Sequence, residues 1–137
     1  MRASVFPSKS KRSWFSTNKK PLLTQEACEF FFKNVRIAGH AEVNEATLIF
    51  RASRDGWGAD DFHRLCDDRG PTLCLVQTHT DYMCAGFTSK AWRSPKNGTH
   101  VEDATACVFA LTDTLQVFKT KNSVKAVYHS MFLGPMW

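Results

Sequence analysis

The chain lacks the features that would assign it to a membrane, to a secreted scaffold or to a zinc module. No apolar run in its 137 residues approaches the roughly 18 that a membrane-spanning helix requires. No N-terminal segment has the apolar core of a secretory signal. The five cysteines, Cys28, Cys66, Cys74, Cys84 and Cys107, are odd in number, scattered and without a CxxC pair. That pattern argues against a disulfide framework and points to reduced thiols in an intracellular compartment. Internal repeats are also absent, which removes solenoids and propellers from consideration.

Acidic residues are missing from one place in particular. Residues 1 to 23 carry Arg2, Lys9, Lys11, Arg12, Lys19 and Lys20 and no Asp or Glu, leaving 12 basic against 13 acidic residues for the rest of the chain. The net charge of +5 therefore belongs to the N-terminal stretch, and a body close to neutral does not offer the basic surface of a nucleic-acid-binding domain. Residues 1–21 read as a basic arm preceding a domain over 22–137. With Trp14 and Phe15 among its charges the arm is similar to a mitochondrial targeting segment, so the expected compartment is mitochondrial ahead of cytosolic. Lys9, Lys11, Arg12, Trp14, Lys19 and Lys20 are candidates for contact with another protein chain, a nucleic acid or an anionic lipid.

What the chain has in quantity is large apolar surface: 43% hydrophobic residues, including eleven Phe and four Trp. One domain of this length can bury a single core. Thr24 suits an N-cap for a helix over about 25–35, with Glu26 and Glu29 early and Ala27, Phe30, Phe31 and Val35 as an apolar stripe. "ATLIF" (46–50) reads as a buried strand, about 59–66 as a short helix, and about 72–79, 82–89, 105–112, 115–120 and 124–131 as strands separated by "DRGP", "TD", "SPKNGTHVED" and "KNS". One early helix followed by a meander predicts an α+β fold with mostly antiparallel β-sheets flanked by short helices. A short even-length loop between 72–79 and 82–89 would set Cys74 opposite Phe87 and Cys84 opposite Gln77, on opposite faces of the hairpin. The final "FLGPMW" places Met136 and Trp137 where they expose apolar surface. This suggests a domain cut short at its C-terminus and makes Trp137 a further candidate for partner binding.

The stretch "RASRDGWGADDFHRLCDDRG" (51–70) crowds chemistry-bearing side chains together. Ser53, His63 and Asp55 are the residue types of a nucleophile, a base and an orienting acid, yet the glycine-flanked serine turn of hydrolases is missing. His63 and Cys66, at i and i+3, are half of a zinc site. The two further ligands would have to be Cys74 and Cys84, which the hairpin register sends to opposite faces. Cys66, at a helix C-terminus before Asp67 and Asp68, sits where a thiolate is disfavoured. A structural reading accounts for more of the residues. Asp55-Gly56 turns the chain, Gly58 frees it beside Trp57, and Asp60 and Asp61 begin a helix. Phe62, Leu65 and Cys66 pack inward with Trp57, Arg51 and Arg54 bond Asp55 or nearby carbonyls, and Gly70 ends the helix in a left-handed conformation.

The same residues resemble the signature of the TLDc domain family. The matching positions are Arg51, Ser53, Arg54, Asp55, Gly56 and Trp57, then Phe62, His63, Cys66 and Asp67, then Gly70 and Thr72, and finally Gly86, Phe87, Thr88 and Trp92. A Gly-Gly pair of the pattern is here Ala85-Gly86, and the family continues into glycine-rich strands beyond the point where this chain ends. The resemblance implies a β-sandwich flanked by helices, no catalytic residues and no cofactor. It also implies a link to oxidative-stress resistance and to binding of the vacuolar proton-pumping ATPase. The expected function is a non-catalytic protein-interaction domain, a regulator or accessory subunit of a larger assembly. The alternative is a thiol- or metal-dependent enzyme of oxidative defence built on His63, Cys66, Cys74 and Cys84.

Overall fold

The computed structural model describes residues 2–7, 23–37 and 47–137. In chain order the elements are β1 (Arg2–Pro7), α1 (Gln25–Ile37), β2 (Phe50–Arg51), α2 (Ala52–Asp55), α3 (Ala59–Cys66), β3 (Thr72–Gln77), β4 (Met83–Thr88), β5 (Thr99–Val101), β6 (Cys107–Ala110), β7 (Gln116–Lys119), a 3-10 turn (Ser123–Lys125) and β8 (Val127–His129). Among the described residues, six strands form one sheet in the order β2-β1-β3-β4-β6-β7, and β5 pairs with β8 in a second, two-stranded sheet. Every strand pair is antiparallel, so the α+β class expected from the sequence holds.

Each face of the main sheet is covered by a different layer. Thr24 caps α1, its hydroxyl accepting from the Ala27 amide at 3.2 Å. Ala27, Phe31 and Val35 then recur at helical spacing and are buried with Leu23 against Leu73, Leu75, Ala85, Phe87 and Phe109 of the sheet. Phe31 stands edge-on to Phe109 with ring centroids 5.3 Å apart. Each buried Val, Leu or Phe there contributes on the order of 1.5–3 kcal/mol by leaving water. The opposite face carries a second core, with Phe50, Phe62, Cys66, Trp92 and Val127 gathered over Cys74.

Several expectations are corrected. Arg2–Pro7, assigned to the basic arm, is a strand that pairs along its whole length with Thr72–Gln77 and also with β2. "RASVFP" contains a single charge, and reading it together with the lysines that follow hid a segment of strand composition. Of "ATLIF", Phe50 lies in a strand while 47–49 do not, and 52–55 turn at once into a single helical turn. Thr99–Val101, inside an expected break, is a strand.

The β3–β4 register is shifted by one residue, with Cys74 opposite Gly86 and Cys84 opposite Val76. The cause is an odd loop. Thr78 and Tyr82 close a three-residue connection in which Asp81 adopts φ 64°, a left-handed position that Asp tolerates. Cys74 and Cys84 therefore share a face, contrary to expectation. They lie two positions apart along the strands, and all five cysteines are free.

Candidate functional site

The 51–70 stretch closes on itself. The Asp55 carboxylate accepts from the Arg51 backbone amide at 2.7 Å and from both Nε and a terminal nitrogen of Arg54 at 2.6 and 2.7 Å. The Arg54 guanidinium, foremost, holds the Asp55 carboxyl below the usual range. Gly56 has φ 115°, and a Cβ there would meet the Asp61 carboxylate, whose oxygen accepts from the Gly58 amide. These bonds fix the entry into α3, and only glycine fits at position 56.

His63 is buried against three acceptors. Its Nδ1 lies 2.7 Å from Asp67 Oδ1, and its Nε2–H donates to the carbonyls of Ser130 at 2.8 Å and Leu133 at 3.0 Å. Asp67 also accepts from the Ser94 hydroxyl at 2.6 Å. Both ring nitrogens are thus engaged away from Ser53, which is exposed, so Ser53, His63 and Asp55 do not assemble as nucleophile, base and acid. His63 instead ties α3 to the segment after β8.

Two thiols of the alternative reading, Cys66 and Cys74, lie in apolar surroundings. Burial, reinforced by the charge of Asp67, pushes the Cys66 thiol up to about 12, and full burial raises Cys74 well above its ordinary value. Cys84 is exposed and raised by partial desolvation. None of these is the electropositive, low-pKa setting of a reactive cysteine. Among the described residues no group of three or more His, Cys, Asp or Glu is placed to hold a metal ion.

Two details of the expected scaffold differ. Trp57 does not pack inward, since it is 59% exposed while Phe62 and Cys66 fill the core without it. Gly70 does not end the helix in a left-handed conformation. That role falls to Asp68, with φ 57°, and Gly70 is required because a Cβ would meet the Lys90 carbonyl and the Ala91 backbone at 2.8–2.9 Å.

The remaining signature residues meet the chain's end. Trp92 is buried, and its indole N–H donates to the Thr72 hydroxyl at 2.8 Å. Trp137 stands edge-on to Trp92, donates its N–H to the Phe87 carbonyl at 3.0 Å and lays its ring over Gly86, where a Cβ would approach within 2.6 Å. One face of this candidate partner-binding residue is therefore used inside the fold, with 37% of the residue exposed. The other candidates, Lys9, Lys11, Arg12, Trp14, Lys19 and Lys20, lie outside the described residues.

Sequence reasoning missed two buried polar groups. Asp103 accepts from the Thr88 and Ser89 hydroxyls, the Ser89 and Thr105 amides and the Thr105 hydroxyl. Its pKa is lowered to about 2, those donors outweighing the burial that opposes them. The clue was the run of hydroxyl residues at 88–89 and 105. His129 follows Val127 on the inward face of β8, packs its ring at a tilt of 44° against Trp92, and borders a cleft of about 680 Å³ with Asp67, Asp68, Arg93, Ser94 and Thr99. Its Nε2 and the Nε of Arg51 are buried with no hydrogen-bond partner among the described residues.

Among the described residues no helix is long and apolar enough to cross a membrane. Comparison with protein families matches the TLDc domain over residues 16–134. No curated protein and no solved structure was found to match the chain.

Proposed function

The chain belongs to the TLDc domain family, and from that premise we propose that it acts as a non-catalytic protein-interaction domain, a regulator or accessory subunit of a larger assembly. The observation that carries this reading is the engagement of the signature in structure. His63 is bonded on both ring nitrogens, Asp55 is saturated by Arg51 and Arg54, and Cys66 is buried with its pKa raised to about 12. Side chains held in this way position backbone and are not free to meet a substrate.

The family resemblance extends the proposal to a role in oxidative-stress resistance and to the vacuolar proton-pumping ATPase as the class of partner. The acid-free basic residues near the N-terminus favour an intracellular site, mitochondrial ahead of cytosolic.

Purification of the tagged chain from cells, followed by size-exclusion chromatography, tests the reading. The expected result is a defined complex of constant stoichiometry. A monodisperse monomer with no partner counts against it. Loss of peroxide protection in a Cys66→Ser variant, or stoichiometric metal by elemental analysis, would move the assignment to an enzyme.

A further inference from the structure

We propose that the β7 edge of the main sheet docks an extended peptide strand of a partner protein, one that alternates apolar with acidic side chains. The proposal rests on the protein-interaction reading above and names the chemistry of the partner. β7 ends the six-stranded sheet among the described residues. An edge strand offers main-chain donors and acceptors to an added strand.

Register sorts the side chains next to that edge. Phe118 pairs with Val108 on one face, and Lys119 pairs with Cys107 on the other. The first face is buried at Cys74, in the cluster with Phe62 and Trp92, yet at its β6–β7 end Phe118 is 55% and Val108 39% exposed. Val108, Phe118, Ala126 and Trp137, together with Lys119 and Thr120, line a mostly apolar groove of about 180 Å³ there.

Charge completes the match. From Thr114 to Trp137 the chain has Lys119, Lys121 and Lys125 and no acidic residue, and all three lysines are exposed. An added strand has period two, so its apolar side chains would face Phe118 and the groove while its carboxylates face Lys119. An anionic membrane would satisfy the lysines and the apolar surface, but it makes no use of a strand edge. An alternating acidic peptide uses the edge, the groove and the charge together.

Titration of the isotope-labelled 137-residue chain decides the matter. The probes are a synthetic octapeptide alternating valine with glutamate and its counterpart with lysine in place of glutamate. Saturable amide shifts over residues 107–110 and 116–120 are expected with the glutamate peptide alone, weakened by added salt. Either Phe118→Gln or Lys119→Glu should reduce affinity about tenfold or more. Both side chains are exposed, and unchanged spectra elsewhere confirm that each variant is folded.

The proposal is overturned by absence of saturable shifts, by equal binding of the two peptides, or by shifts confined to another surface. Concentration-dependent shifts of β7 without peptide would give the edge to a second copy of the chain. Binding to anionic vesicles but to neither peptide would give it to a membrane. Either result also overturns the proposal. A partner that co-purifies through a different surface would leave the interaction-domain reading standing while this inference fails.

Discussion

Among the described residues Asp103 draws together many hydrogen bonds, five donors reaching one buried carboxylate. Its charge is more strongly favoured in the folded chain than in the unfolded one, which lowers its pKa from 3.8 to about 2. A carboxyl depressed on folding contributes stability that is complete above the unfolded value and is lost as pH falls through the folded one. Acid titration of unfolding free energy should therefore decline from about pH 4 down to about pH 2, and an Asp103→Asn variant should lose that slope. At pH 7, Asp103→Ala should cost on the order of 2–4 kcal/mol in chemical denaturation, because the hydroxyls and amides of 88–89 and 105 lose their acceptor. A change below about 0.5 kcal/mol would show that water replaces the carboxylate without penalty. The sequence did not single this residue out, because a lone Asp in a polar loop has the composition of a solvated turn. Its burial depends on Thr88, fifteen positions away.

Elements are joined by contacts that no local pattern encodes. His63 was legible as part of a signature, and its helix was placed correctly at 59–66. The groups it binds, at Ser130 and Leu133, lie 67 and 70 residues further on. His63→Phe keeps a ring in place but leaves the Ser130 and Leu133 carbonyls without their donor and Asp67 with Ser94 alone, a loss expected to cost about 2–4 kcal/mol. Hydrogen exchange should report it first at residues 130–133, before any effect on α1. Uniformly raised exchange, or none, would refute the view of His63 as a tie between α3 and the segment after β8. The β3–β4 hairpin illustrates the same limit, since both strands were recognisable but their register turned on whether the loop held an even or odd number of residues. Asp81 in a left-handed conformation settled that in favour of three.

At the scale of the whole molecule, β1 changes how the chain's start is understood. It lies inside the sheet, between β2 and β3, so deletion of residues 1–7 exposes the length of β3 and detaches β2. The expected outcome is a loss of several kcal/mol, with aggregation through the opened edge, measurable by denaturation and light scattering. A dispensable arm would leave stability unchanged on the same deletion. The six-residue segment escaped notice because its strand character is weak beside the charge of the residues that follow it, and because its partner, Thr72–Gln77, is distant in the chain.

The sequence by itself determined the family signature, the antiparallel α+β class, the α1 cap and stripe, and α3. All of these rest on local spacing, which the backbone reads within a few residues. Tertiary structure decided what spacing cannot carry: the strand order with β1 inside it, the shared face of Cys74 and Cys84, the seat of Trp137 on Gly86, and the burial of Asp103 and His129. Each depends on which distant segments are brought together, and that is set by how two cores are packed on the two faces of one sheet.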